Sequence, residues 1–325
     1  MRRTTDQTRA RETVRIGVSA CLLGCKVRFD GGHKRDSFLL DTLSRFVEFV
    51  PVCPEVELGL GVPRESLHLE RERGEVRLIG NKSRIDHTEA MRDYAAQRIH
   101  VLAAYDLSGY VLKKNSPSCG MERVRVYTAN GTVSRGGRGL FAKELLQRFT
   151  HLPVEEEGRL NDARIRDNFI ERVFAYRRMR ALFAQDWSHA ELIAFHTAHK
   201  LQLMAHSPRA CEELGRLVAN GGRRARDKLR SEYEAAFMTA LAQLTTPARH
   251  VNVMQHIAGY FHEFLDLAGH AELAGLIEDY RKELAPLIVP ITLIRHYARL
   301  FDVEYLKGQV YLEPHPKELM LRNWV

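Results

Sequence analysis

The chain has 325 residues, 45% of them hydrophobic, and a formal net charge of +8 at pH 7, which suggests two domains with ample apolar material for their cores. Five cysteines are too few, and odd in number, for a disulfide scaffold. No stretch approaches the ~20 apolar residues of a membrane span, and Met1 to Arg15 is polar and Arg-rich without the apolar core of a secretory signal. A reducing, cytoplasmic setting is expected, and the basic balance makes nucleic acid the first candidate for an acidic partner.

Residues 1–12 read as a disordered tail. Alternating apolar residues predict strands at Val14–Ser19 and Phe46–Val52, with a helical pattern over Asp36–Arg45 between them. Gly59 to Pro63 is a turn-rich loop, and Glu75–Ile79 reads as a short strand. His87–Ala104 is an amphipathic helix with Asp86 as its N-cap. Leu107–Leu112 is a strand that runs into Lys113-Lys114-Asn115-Ser116-Pro117-Ser118-Cys119-Gly120. Val124–Tyr127 is a strand ahead of an Asn130-Gly131 turn, and Gly136–Phe149 reads as a glycine-started helix. Strands alternating with helices indicate an α/β domain of Rossmann-like type with a parallel sheet.

The composition shifts after about residue 158. Asn161–Gln185 is long, Arg-rich and helical. Further helices are predicted at 188–205, 208–219, 223–244, 248–267 and 271–284, with Asn220-Gly221-Gly222 as the clearest break. Pro286 and Pro290 kink the chain before Thr292–Leu300. The expected organisation is an α/β domain over 13–165, a connecting helix over 166–186 and an all-α domain over 187–325.

Three cysteines each follow a predicted strand: Cys21, Cys53 in Pro51-Val52-Cys53-Pro54-Glu55, and Cys119. In a parallel sheet all strand ends point the same way, so three distant thiols would meet in one pocket. Three thiolates suit an iron–sulfur cluster or a thiophilic metal such as zinc. The alternative is that they are buried small hydrophobes, as free cysteines often are. Cys25, four residues past Cys21, could be a fourth ligand, whereas Cys211 lies on a helix and reads as a core residue. Glu55 could face the same pocket as a general base, or be a surface carboxylate. Ser116 and Ser118 can donate hydrogen bonds or simply form the turn. Lys113 and Lys114 could carry positive charge to an anionic ligand, and Arg28 and Asp30 are expected to pair and pin their loop.

Ser-Ala-Cys-Leu-Leu-Gly with Val-Arg-Phe-Asp-Gly-Gly, then Val-Cys-Pro-Glu-Val, then Lys-Asn-Ser-Pro-Ser-Cys-Gly, together resemble the thiouracil desulfurase (TudS) family, over roughly residues 13–165 and including Glu156-Glu157-Gly158-Arg159-Leu160-Asn161-Asp162. The resemblance implies a 4Fe–4S cluster with three cysteine ligands and one open iron. By motif the ligands fall on Cys21, Cys53 and Cys119, and Cys25 lies outside the pattern. The open iron would take the sulfur of a thiocarbonyl substrate, Glu55 would help activate water, and Ser116 would assist at the pocket. The implied reaction is non-redox: C=S becomes C=O and sulfide leaves.

The second half is rich in histidine, with His189, His196, His199 and His206 within Ser188–Ser207. A shared helix face could bind metal, but packed histidines are the expectation. Arginines cluster over Arg223–Arg230 and at Arg172, Arg177, Arg178 and Arg180, as a solvated face or a phosphate-contacting one. The run Phe195–Pro208, the segment around Asn252–Phe261 and Tyr311–Leu319 resemble the YbgA-like helical domain. Its pairing with a TudS-like domain is similar to the bacterial RudS-type desulfidases. That resemblance implies 4-thiouridine in tRNA as substrate and tRNA as partner of the helical domain. The other readings are a desulfurase of free 2-thiouracil-type bases and a non-catalytic, RNA-binding or redox-sensing iron–sulfur protein.

Overall fold

The computed structural model describes residues 13–128 and 130–324, so the expected tail at 1–12 lies outside the described residues. The chain divides into two compact units, Met1–Asp162 and Ala163–Val325.

In chain order the first unit forms β1 (Arg15–Ser19), β2 (Glu48–Val52), α1 (Pro54–Glu57), β3 (Leu67–Glu72), β4 (Glu75–Gly80), α2 (Thr88–Ala103), β5 (Leu107–Leu112), β6 (Val124–Thr128), β7 (Val133–Gly137), α3 (Leu140–Arg148) and β8 (Val154–Glu156). One sheet has the order β2-β1-β5-β8 with every pair parallel. The second has the order β4-β3-β6-β7; its central β3–β6 pair is parallel and both edge pairs are antiparallel. The parallel sheet confirms the expected α/β architecture.

β5 is buried along its whole length, as expected of a central parallel strand covered on both faces. Tyr110 at its middle is 1% exposed. It fits because β1 carries Gly17 opposite, where a Cβ would stand 2.2 Å from the Tyr110 ring. From β1 the chain crosses to β2 on one side, while β5 pairs on the other. The carboxyl ends of these strands therefore flank a topological switch point, where open α/β sheets place their ligands.

Several expected elements differ. Asp36–Arg45 is not an α-helix but a π-helical turn at Phe38–Thr42 followed by a 3-10 turn at Leu43–Arg45; the segment is too short to propagate a helical nucleus. Gly136 and Gly137 belong to β7, and α3 starts only after Gly139, because pairing of Val124 with Gly137 holds that glycine extended. α2 begins at Thr88 with His87, not the expected Asp86, at its N-cap; Asp86, one residue earlier, accepts the Thr88 N–H at 2.9 Å.

The second unit contains α4 (Ala163–Phe183), α5 (His189–His206), α6 (Pro208–Ala219), α7 (Arg226–Leu241), α8 (Pro247–Ala258), α9 (Leu267–Arg281), α10 (Ile288–Leu300) and α11 (Glu304–Lys307). Ser188 and Glu191 form a capping box on α5, and Ser207 and Thr246 cap α6 and α8. α8 ends nine residues earlier than predicted, through a 3-10 turn at Gly259–Phe261. α9 starts earlier, where the Asp266 side chain accepts the Gly269 N–H at 2.8 Å.

The motif residues of this unit are largely internal. Glu171, Gln202, His206 and Arg322 are all buried. Gln202 donates to Glu171 at 2.8 Å, with His206 Nε2 and Arg322 Nη2 facing the same carboxylate at 3.5 and 3.7 Å. Burial alone would raise the Glu171 carboxyl, but His206, Arg322 and Gln202 hold it well below the usual range. His199 stacks on Phe195 and is bonded to its carbonyl at 2.8 Å. His196 meets the Tyr233 hydroxyl at 3.3 Å. These are packed histidines, and Cys211 sits in the apolar cluster around Tyr233 and Phe237.

Candidate active site

Each of the three cysteines stands just beyond the carboxyl end of a strand in the parallel sheet. Cys21 lies in the 3-10 turn Ala20–Leu23 after β1. Cys53 follows β2 as the N-cap of α1, its N–H bonded to Glu57 at 3.0 Å. Cys119 ends the loop after β5 and is buried. All three line one cavity of about 350 Å³, together with Glu55, Arg64 and Ser116. Cys25 is exposed and does not line it.

The Cys119 loop is built into the start of α3. The Gly139, Leu140 and Ala142 N–H groups donate to the carbonyls of Gly120, Pro117 and Ser118 at 2.8, 3.1 and 3.1 Å. The first-turn amides of a helix need such partners. A Cβ on Gly139 would stand 2.4 Å from the Ser118 carbonyl oxygen, so that approach requires glycine. Within the loop, Ser116 Oγ accepts the N–H groups of Ser118 and Cys119 at 3.2 and 3.0 Å. Asn115 adopts the left-handed conformation, φ 59°, which asparagine tolerates.

Glu55 and Arg64 form a nearly buried pair, 14% and 6% exposed at the side chain. Arg64 donates twice to Glu55 Oε2, at 2.9 and 2.6 Å, and reaches the carbonyls of Val27 and Gly61 at 3.0 Å each. Ser118 donates to Glu55 Oε1 at 2.9 Å. Arg64 and Ser118 therefore tie together the loops that carry the three thiols. Arg64 gives no sign of this role in the sequence. It follows a turn-rich loop, where arginines are normally solvated, and only the fold brings it to Glu55. Ser118, rather than Ser116, contacts Glu55.

Lys113 pairs with Glu157, whose other oxygen accepts the Lys114 N–H at 2.7 Å. The Lys113 amide is held by Ser19 Oγ at 3.0 Å. Arg28 and Asp30 pair at 3.5 Å, as expected, and Asp30 also accepts the Gly32 N–H at 3.0 Å.

Burial pushes the Cys21 thiol up to about 11, with Cys53 adding and Lys113 and Arg28 opposing. Burial also raises Cys53 and, well above the ordinary range, Cys119; the nearby thiols add to the Cys119 shift and Ser19 opposes it. Among the described residues no group of three or more His, Cys, Asp and Glu side chains is placed to hold a single metal ion. An iron–sulfur cluster is larger than an ion and takes its thiolates at separate iron corners. Three desolvated thiols spaced around one cavity, with lysine and arginine at its wall, fit such a group.

The family model for 2-thiouracil desulfurase matches residues 16–157, and that for DUF1722, a family of unknown function, matches residues 200–316. The uncharacterized protein YbgA of Escherichia coli K12 is 31% identical over 165 residues, half of this chain and 98% of that protein. The uncharacterized protein YbbK of Bacillus subtilis 168 is 32% identical over 155 residues, 45% of this chain and 98% of that protein. A solved [4Fe-4S]-dependent thiouracil desulfidase, TudS, is 34% identical, with a TM-score of 0.38, covering 46% of this chain and 95% of that one. The chain belongs to the 2-thiouracil desulfurase family in its first part and to the YbgA-like DUF1722 family in its second.

Proposed function

We propose that the protein is an iron–sulfur-dependent desulfidase that converts the C=S of a thiolated nucleobase to C=O, with 4-thiouridine in tRNA as its substrate. The observation that carries the reading is the convergence of Cys21, Cys53 and Cys119 on one cavity with the Glu55–Arg64 pair at its wall. The three thiolates would hold a 4Fe–4S cluster. With only three protein ligands such a cluster would leave one iron able to take the soft sulfur of a substrate.

The chain's own groups have defined capacities. A carboxylate has about four lone-pair sites. Arg64 takes two on Oε2 and Ser118 one on Oε1, which leaves Oε1 able to accept a proton from water. Arg64 holds that carboxylate in position. Ser116 Oγ already accepts two N–H groups, so its hydroxyl hydrogen is the part left to offer the substrate. Water adds its oxygen to the thiocarbonyl carbon, the C–S bond breaks, and sulfide leaves with the protons, so no electrons are exchanged. Cys25, exposed and away from the cavity, is poorly placed to close off a fourth iron, which favours a catalytic over a purely structural cluster.

A small free base would not need a second helical domain, and the net charge of +8 suits a polyanionic carrier of the base. The test is anaerobic reconstitution followed by incubation with thiolated tRNA. The near-UV thiouridine absorbance should fall with release of one sulfide per base, and Glu55→Gln should abolish this while retaining iron. Turnover of free 2-thiouracil with none on tRNA would overturn the tRNA assignment. A reconstituted protein without turnover on either would overturn the desulfidase.

A further inference from the structure

A second depression, of about 1080 Å³, runs over the mixed sheet beside the thiol cavity. Leu67, Asn115 and Pro117 line both. Four arginines, Arg84, Arg123, Arg125 and Arg135, line this groove against a single carboxylate, Glu70. That carboxylate is already neutralised: Arg84 grips both its oxygens at 3.0 and 2.7 Å, and His68 meets it at 3.0 Å. Arg123 is 78% exposed and reaches Glu122 only at 3.8 Å. Arg125 and Arg135 are exposed on β6 and β7 and have no ion pair or hydrogen bond among the described residues. On the groove wall Tyr127 meets His68 edge to face, centroids 5.5 Å apart.

The helical unit contrasts with this. Three guanidinium groups of its basic run are paired: Arg224 with Glu232, Arg226 with Asp186 and Arg230 with Glu234. Arg178 is half-buried and donates to the Pro314 carbonyl at 2.6 Å. The guanidinium groups free to meet phosphate include those beside the thiol cavity.

We propose that this groove seats the phosphodiester strand flanking the thiolated nucleotide, with Arg125 and Arg135 on phosphates and Tyr127 as a stacking surface for a neighbouring base. The proposal rests on the reading that the base is carried in RNA. Single-stranded nucleic acid is held in this way, by a basic track that follows the backbone and aromatic rings that stack bases. The groove has about three times the volume of the thiol cavity, which suits nucleotides on either side of one inserted base.

The test uses the full reconstituted chain, wild type against Arg125→Ala/Arg135→Ala and the charge-conserving Arg125→Lys/Arg135→Lys. Affinity for thiolated tRNA is measured as a function of salt, and turnover is measured on that tRNA and on 4-thiouridine nucleoside. Two lost phosphate contacts should flatten the plot of log affinity against log salt by about 1.4 and weaken binding roughly tenfold or more at about 0.1 M salt. kcat/KM should fall likewise on tRNA and stay unchanged on the nucleoside, and the lysine variant should retain most of both. Unchanged affinity and slope in the alanine variant, with wild-type turnover on tRNA intact, would overturn the groove and leave the proposed function standing. A wild type that desulfidates the nucleoside but neither binds nor desulfidates tRNA would overturn both.

Discussion

Arg64→Met in the apo protein isolates the contact that ties the thiol loops together. The substitution keeps most of the side-chain volume but removes four hydrogen bonds, two to Glu55 and one each to the Val27 and Gly61 carbonyls. With side chains only 6% and 14% exposed, Glu55 is left as an uncompensated, nearly buried charge. Breaking such a pair from one side costs about 3–5 kcal/mol. For a unit of this size that corresponds to a fall in Tm of the order of 10 °C. Glu55→Gln strands the guanidinium and should be costly for the same reason. In the double variant neither charge remains, so its loss should be smaller than the two single losses combined by about 2 kcal/mol or more. Thermal and urea unfolding of the four proteins measure this cycle. Additivity within about 0.5 kcal/mol would refute the claim that the two side chains act as one unit.

Cys21→Ala, Cys53→Ala and Cys119→Ala should each lose the brown chromophore after reconstitution, whereas Cys25→Ala should keep about four irons per chain, as read by iron analysis and absorbance. Gly139→Ala adds one methyl against the Ser118 carbonyl at 2.4 Å. It should cost about 1–3 kcal/mol in urea unfolding and impair iron uptake; wild-type values for both would contradict the described approach. Burial holds His199 and His250 down to about 3 from an ordinary 6.5, so the unfolded chain takes up protons that the folded one refuses. Their contribution is complete above about pH 6.5 and is lost as the pH falls toward 3, by about 1.4 kcal/mol per pH unit for each histidine. Urea midpoints across that window should fall accordingly, and His199→Gln should remove about 1.4 kcal/mol per pH unit of the slope.

The three strands that carry the thiols were legible as apolar segments, although β1 and β5 are buried almost continuously rather than on alternate residues, and each leads into a loop that holds a cysteine. β8 was not: its residues are Val154, Glu155 and Glu156, and two carboxylates in sequence look like surface. In the fold Glu156 accepts the Met121 N–H at 2.7 Å and Glu155 pairs with Arg159, so specific partners offset the burial that sequence cannot show. β7 was missed for the opposite reason, since Val133–Gly137 is mostly exposed and has no apolar face to announce it. At the site, the thiols and Glu55 were readable from strand ends and motifs. Arg64 was not, because a loop arginine acquires its partners only when distant turns close on it.

Two frames divide the labour of the first unit. The thiols are attached to the parallel sheet, whereas β6 and β7, with Arg125 and Arg135, belong to the other sheet. Every thiol loop is locked by internal bonds, but the outward positions of β7 carry almost none of the unit's packing. Mutation can therefore explore that strand at little cost to folding and without moving a thiol. A lineage could change what it admits to the cavity while its chemistry stays constant.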